Sequence, residues 1–219
     1  MNRRPTLLAA AALTTAAALT LSACGGGEGG SKDREKIAGA DAGTQRDTSP
    51  SPKASEDGID RPQIKLPKDV KNVFEGGKTG DPKKDAVLAD NERWVNALIE
   101  AVTIEAKDHP ALKFYATGDA LLSSAEYVQG FQRKNMSFVG TTRYYDRKVT
   151  FLKDGVAAVT YCQDGTKTYP KDLKTGAVDR SIEGSPSDYT FFNTRVQKND
   201  KGVWQTDSIT STAGAKQCM

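Results

Sequence analysis

The spacing of apolar residues changes near residue 135, and this change predicts helices in the first part of the domain and strands in the second. Before that point the apolar positions recur about every 3.6 residues, which is typical of amphipathic helices. The first predicted helix begins at Asp81-Pro82, where Asp81 is a favourable cap and proline suits the first helical position. It ends before His109-Pro110. Its apolar stripe consists of Val87, Trp94, Val95, Leu98, Ala101 and Val102.

Two shorter helices are predicted next. The first extends from Pro110 to Thr117 and ends at Gly118. The second opens with a capping box at Ser123-Ser124-Ala125-Glu126 and continues to about Lys134. Its inward face carries Tyr127, Val128 and Phe131.

After residue 135, apolar and polar positions alternate, which predicts strands. Asp154-Gly155 is a strong signal for a two-residue hairpin turn. Residues 163–187 contain several glycines and prolines and are predicted to form a long loop, with a small ribbon around Tyr169 to Val178. The predicted strands are a first one carrying Tyr145, Val149 and Phe151, then Val156–Cys162, Tyr189–Gln197 and Val203–Thr212, with a turn at Asn199–Gly202.

Helices followed by an antiparallel meander predict an α+β domain over residues 82–219, with N-terminal helices packed on a curved antiparallel sheet of about four strands. This order of elements resembles the NTF2-like, cone-shaped fold, and the cystatin-like fold is its near neighbour. Residues 64–81 are predicted to be a docking arm. Within the arm, the spacing of Val70, Val73 and Phe74 suits one helical turn after Pro67.

Residues 24–63 have a different composition and are predicted to form a disordered tether. They are rich in Gly, Ser, Thr, Asp, Lys and Pro, and Ile37 and Ile59 lack apolar neighbours at helical or strand spacing. Such a segment buries too little apolar surface to offset the entropy lost on ordering.

Residues 1–23 have the layout of a secretory signal. Arg3 and Arg4 precede an apolar stretch from Leu7 to Leu21, which is too short for a permanent membrane span. The stretch ends in Leu21-Ser22-Ala23-Cys24, which resembles the lipobox of bacterial lipoproteins. The resemblance implies that Cys24 becomes the first mature residue and carries a lipid, which would anchor the chain to the outer face of the cell membrane. Both the Sec and the twin-arginine export routes remain open.

Charge and composition exclude several classes of protein. From Cys24 onwards the chain has 29 basic and 28 acidic residues, which gives no support to a nucleic-acid partner. One histidine and three cysteines exclude a Cys/His-rich zinc module. No nucleotide-binding glycine loop and no Gly-x-Ser-x-Gly elbow is present, so no cofactor is expected.

Two cysteines remain once Cys24 carries lipid. These are Cys162 and Cys218. An even number of cysteines in an oxidising compartment is typical of disulfide-bonded proteins, so we predict that the two form a disulfide. Two free thiols are the alternative.

Several segments are similar to a group of uncharacterised actinobacterial lipoproteins, over about residues 64–218. The resemblance implies an extracytoplasmic location and an NTF2-like (SnoaL-like) domain, and it brings no known reaction. The segments are 74–88, Cys162, Leu173-Lys174-Thr175-Gly176, Asn193-Thr194-Arg195, Gly202-Val203-Trp204-Gln205 and Cys218.

Enzymes with the cone fold, such as ketosteroid isomerase and the polyketide cyclases, place an Asp or His base and Tyr donors in an apolar cavity. The residues able to play these parts here are Trp94, Tyr115, Tyr144, Asp146 and Tyr161. They equally suit core packing or a pocket for a ligand. His109 is predicted to be a cap or surface residue, with a catalytic base as the alternative.

The sequence thus predicts a membrane-anchored binding module for a small apolar ligand or an envelope protein. An isomerase- or cyclase-like enzyme and a structural accessory subunit of an envelope complex are the alternatives.

Overall fold

The computed structural model describes residues 57–106 and 108–219. The predicted signal peptide (1–23), the predicted lipid site Cys24 and the tether as far as residue 56 lie outside the described residues. Within the described ranges, no helix is both long enough and apolar enough to cross a membrane.

The described part of the chain contains three α-helices ahead of its longest strands. Helix α1 is Pro82–Thr103, α2 is Pro110–Tyr115 and α3 is Gly118–Lys134. The predicted cap of α1 is confirmed, because the Asp81 carboxylate accepts a hydrogen bond from Lys83 N at 2.9 Å. The predicted start of α3 at Ser123 is wrong. The helix begins at Gly118, so the Ser123–Glu126 segment lies inside it.

Five strands of the described chain form one sheet, whose spatial order follows the order in the sequence. The last four strands in the sequence are antiparallel neighbours, and the predicted hairpin at Asp154-Gly155 joins the first two of these four. The α+β class predicted from the sequence is therefore confirmed. The strands are β1 Val70–Phe74, β2 Met136–Lys153, β3 Val156–Asp172, β4 Tyr189–Lys198 and β5 Trp204–Ala213.

Strand β1 replaces the helical turn predicted in the docking arm. It pairs in parallel with β2, with Val70 opposite Gly140 and Phe74 opposite Tyr144. Gly140 N donates to Asp69 O at 2.7 Å at the start of this pairing. Backbone pairing to a distant segment overrides the local helical spacing, because the strand satisfies its hydrogen bonds along its whole length.

Strand β3 is longer than predicted. The residues after Cys162 were expected to form a loop, but they continue the strand to Asp172 opposite the first half of β2. The predicted ribbon is reduced to a single bridge between Lys171 and Val178. Strands β2 and β3 therefore pair along nearly their whole lengths.

The end of the predicted tether, residues 57–63, is ordered and contacts the domain, which corrects the prediction of disorder for these residues. Arg61 Nη1 donates to Asp90 Oδ1 at 2.7 Å, and Trp204 N donates to Asp90 Oδ2 at 2.9 Å. Ile59 and Ile64 pack against the core. A buried carboxylate on α1 therefore joins the segment, the helix and β5.

The C-terminal tail is fixed by a disulfide between Cys162 and Cys218, which confirms the predicted pairing. The two Cα atoms are 5.4 Å apart, within the usual range for a bridge. The hydroxyl of Tyr145 donates to the carbonyl of Cys218. These contacts hold the C-terminal tail against the sheet at Cys162 of β3.

Candidate functional site

A cavity of about 480 Å³ lies between the helices and the concave side of the sheet. Helix α1 supplies one wall, α3 supplies the rim, and β2 to β5 supply the floor. The exposed residues of its lining all lie on α3 and β5, among them Ser123 and Tyr127 of α3. Its other lining residues are Trp94, Val95, Leu98, Ile99, Ser124, Tyr144, Tyr161, Gln163, Thr190, Phe192, Ile209, Ser211 and Ala213.

A line of aromatic rings crosses the strands below the cavity. Phe74 of β1 stacks on Tyr144 with ring centroids 4.7 Å apart. Tyr144 meets Tyr161 edge to face at 6.1 Å, and Tyr161 stacks on Phe192 at 5.0 Å. Each of these rings therefore packs against a ring on the neighbouring strand, in geometries that stabilise aromatic pairs.

The polar groups in the lining are uncharged at neutral pH. The described lining residues include hydroxyls and one amide, and no Asp, Glu, His, Lys or Arg. Burial, with the neighbouring tyrosine hydroxyls, raises the pKa of Tyr144 well above its ordinary value. Burial also raises the pKa of Tyr161, and this effect outweighs the positive charge of Arg147, which acts to lower that pKa. Both phenols therefore stay protonated and can act as hydrogen-bond donors.

Trp94 provides an unsatisfied donor at this site. The residue is 2% exposed, and its Nε1 is buried without a hydrogen-bond partner among the described residues. A buried N–H that lacks an acceptor costs about 1–3 kcal/mol. The atom is inaccessible to water in this structure, so an acceptor on a bound molecule would reach it only if the indole ring shifts.

The structure brings together three of the five predicted pocket residues, namely Trp94, Tyr144 and Tyr161. Tyr115 is fully buried in α2, away from the cavity, with the Arg61 guanidinium 6.0 Å from its ring centroid. Burial raises the pKa of Tyr115, so it is a neutral packing residue there.

Asp146 does not belong to the site, which corrects the prediction. It is exposed, with a φ of 50°, at a break in the β2–β3 register between Tyr145 and Lys148. The extra residue of this bulge shifts the alternation, so that the inward positions are Tyr144 and then Arg147. A regular strand would have placed Asp146 on the same face as Tyr144.

Sequence reasoning missed most of the floor contributed by β3, β4 and β5. Gln163 was placed in a loop, although it lies in β3. The alternation of Thr190 and Phe192 did mark one face of β4, but it gave no indication that this face lines a cavity. Ile209 and Ser211 are separated by one residue on β5, and only the packed sheet shows which way they point.

His109 is the N-cap of α2 and makes no side-chain cap hydrogen bond. It does not line the cavity. Over the described ranges, no group of three or more His, Cys, Asp and Glu residues is arranged to hold a metal ion.

A second hollow of about 530 Å³ lies at the hairpin end of the sheet, beside Phe151 and Trp204. Its rim carries Lys83, Lys153 and Lys198, which are all exposed. This hollow is about as open to solvent as the first cavity, but its lining is charged. The first cavity, whose described lining is uncharged, is therefore the candidate site.

No family model matches the chain. No curated protein matches it either. Similar solved structures include a ketosteroid isomerase-like protein from Erwinia carotovora atroseptica, which is 16% identical with a TM-score of 0.41. That match covers 61% of this chain and 97% of the other.

Two further similar structures are the intermembrane-space region of the chloroplast protein ARC6 and a cystatin-like domain of unknown function from Nostoc punctiforme. The first is 17% identical, covers 59% of this chain and 97% of the other, and has a TM-score of 0.38. The second is 15% identical, covers 62% and 78%, and has a TM-score of 0.36. Since all three scores lie below 0.5, the fold class rests on the order of elements in this chain.

Proposed function

We propose that this protein is a binding module for a small, uncharged, largely apolar molecule. The observation that carries the proposal is the cavity of about 480 Å³ with an aromatic floor and a largely apolar, uncharged lining. Pockets for small molecules typically measure about 300–1,000 Å³ and combine apolar walls with a few placed polar groups.

The lining favours a neutral ligand over an ionised one. An ion buried without a partner of opposite charge is strongly disfavoured. The described lining supplies no such partner, and the raised pKa values of Tyr144 and Tyr161 keep these phenols neutral. A hydroxyl, ester or ketone oxygen on the ligand would suit the donors.

We further propose that the module is a lipoprotein held at the outer face of the cell membrane, as in the actinobacterial group that the sequence resembles. The support is the Leu21-Ser22-Ala23-Cys24 lipobox behind a short apolar leader. The full chain should partition with membranes when expressed with its leader. Cys24→Ser should abolish incorporation of radioactive palmitate into the protein, and equal incorporation by both forms would overturn the anchor.

The enzyme alternative needs an acid or base at the cavity. Asp146, the residue that it relied on, is exposed and outside the lining. Asp146→Asn should therefore leave ligand binding unchanged, since asparagine tolerates the positive φ of 50°. The envelope-protein partner and the accessory subunit stay predictions.

The test of the proposed function is calorimetric titration of residues 25–219, which lack both the apolar leader and the cysteine predicted to carry lipid and so permit work without detergent. The probes are 1-octanol and octanoate, which differ in the charge of one end. We expect saturable one-to-one binding of the alcohol and much weaker binding of the carboxylate. Equal binding of both, or none of the alcohol, would contradict the proposal.

A further inference from the structure

The hairpin end of the sheet carries three exposed lysines around the second hollow. They are Lys83 of α1, Lys153 of β2 and Lys198 of β4, and one acidic residue, Asp154, also lines the hollow. Within the described ranges, no salt bridge joins any of these three ammonium groups to a carboxylate. Three lysines and one aspartate leave the lining with a net charge of +2, although the chain from Cys24 onwards is nearly neutral. This end of the domain therefore attracts anions.

Two large apolar side chains are exposed beside these lysines. Phe151 is 39% exposed and Leu152 is 57% exposed, and both precede the turn at Asp154-Gly155. Phe151 also lines the hollow, where its ring centroid lies 6.2 Å from that of Trp204. The β2–β3 register shifts just after Phe151, which leaves Leu152 without a partner in the pairing. Exposed apolar groups with charged residues around them are typical of an interaction surface for a protein or a membrane.

The described chain begins at this same end of the sheet. Lys198 N donates to Gly155 O at 2.8 Å, which places the end of β4 beside the hairpin. Gly202, in the turn that follows β4, lies beside Ile59, whose Cδ1 would be 3.6 Å from a Cβ placed on that glycine. The predicted lipid site, Cys24, precedes this segment in the chain. A lipid anchor on Cys24 would therefore lead into the domain from the hairpin end.

We propose that the hairpin end of the domain docks on the surface of a membrane that contains anionic phospholipid. The lysines contact the headgroup phosphates, and Phe151 and Leu152 enter the headgroup region. A soluble anionic polymer would satisfy the lysines, but it offers no apolar layer for these two side chains. The inference rests on the proposed anchor for its orientation, and it adds the surface of the domain that faces the membrane.

The test is sedimentation of residues 25–219 with vesicles of phosphatidylcholine alone or of an equal mixture with phosphatidylglycerol. These residues lack the cysteine predicted to carry lipid, so binding reports the surface itself. We expect binding to the anionic vesicles alone, and its loss at about 1 M salt, where charges are screened beyond ~3 Å. Lys83→Gln, Lys153→Gln and Lys198→Gln should each lower the partition coefficient about fivefold, since a lysine near an anionic surface contributes ~1 kcal/mol.

Matched controls come from exposed residues at the other end of the β2–β3 pairing. Lys134→Gln, Lys167→Gln and Lys174→Gln should each change the partition coefficient by less than about twofold, because charges far from the surface are screened. Leu152→Ser should lower it about three- to tenfold, since roughly half of a side chain whose burial is worth ~1.5–3 kcal/mol enters the headgroup region. Leu173→Ser, at a leucine that is 46% exposed, is its control.

Several results would overturn the docking surface. They are equal losses in the lysine variants and their controls, absence of binding to anionic vesicles, and binding to dextran sulfate without binding to vesicles. The substituted side chains are all exposed, so the urea midpoint of each variant should match that of the unmodified protein. Neither an alcohol probe nor a palmitate label enters this measurement, so its failure would leave the cavity and the anchor intact.

Discussion

The ring of Tyr161 on β3 lies flat against the ring of Phe192 on β4, with centroids 5.0 Å apart and planes inclined by 15°. Both residues line the cavity. The same Tyr161 ring meets Tyr144 edge to face. The cavity lining is therefore also part of the stabilising core of the sheet, and changes to its tyrosines affect stability.

The free energy of unfolding should fall at high pH because of Tyr144 and Tyr161. Their pKa values are raised in the folded state above the ordinary value of 10.0. The unfolded chain therefore loses its phenolic protons first as the pH rises, which favours unfolding. We expect this contribution to be fully present below pH ~10 and to be lost progressively above it.

Urea midpoints measured from pH 7 to 11 test this pH dependence. Tyr144→Phe should flatten the decline, because phenylalanine has no proton to lose. Tyr169→Phe, which removes a hydroxyl outside the cavity lining, is the control for the substitution itself. A decline of the same size in Tyr144→Phe would contradict the assignment.

Trp94→Phe should weaken the binding of an alcohol probe by about two- to tenfold, the effect of losing one hydrogen bond worth ~0.5–1.5 kcal/mol. The ring is largely kept, so the apolar contacts remain. A probe without an acceptor, such as octane, should bind both proteins equally. An equal loss for octane would show that the substitution acts through packing alone.

Arg61→Met should lower the free energy of unfolding by about 2–3 kcal/mol, because a hydrogen bond to a buried charged group is worth ~1.5–3 kcal/mol. Asp90 is only 1% exposed and keeps Arg93 and Trp204 N as partners. Arg93→Met is the matched control and should cost less than about 1 kcal/mol, because the Arg93 side chain is 35% exposed. Equal costs in urea denaturation would contradict the role of residues 57–63 as an ordered part of the domain.

Removal of the disulfide should lower the free energy of unfolding. Replacing both Cys162 and Cys218 by Ala opens a bridge that spans 56 residues, which the chain-entropy model values at about 4 kcal/mol. Thermal unfolding of the variant and the unmodified chain measures the loss. Rapid labelling of both thiols in the unmodified, exported chain without reductant would contradict the bridge.

Much of the fold followed from local signals. Asp81 and Pro82 mark the start of α1 correctly, and Asp154-Gly155 marks the hairpin. Strand β1 was missed because its partner, Gly140 to Tyr144, lies far along the chain, and local spacing carries no information about such pairing. The start of α3 was misplaced because Gly118 is a residue typical of helix ends, whereas here it is the first residue of the helix.

The candidate site was only partly predictable for the same physical reason. Trp94, Tyr144 and Tyr161 stood out as large amphipathic residues, and they meet at the cavity. Asp146 was misassigned because a bulge reverses the alternation after Tyr145. The bulge depends on pairing with β3, so the residues of β2 alone do not indicate it.

The central claim is that the cavity around Trp94 binds a neutral apolar molecule. The chain contains two tryptophans, so Trp204→Phe leaves Trp94 as the only one. The most direct measurement is a fluorescence titration of this variant, in residues 25–219, with 1-dodecanol. The account predicts a saturable change in Trp94 emission at one alcohol per chain. An emission spectrum that stays unchanged in a protein shown to be folded by its urea transition would contradict it.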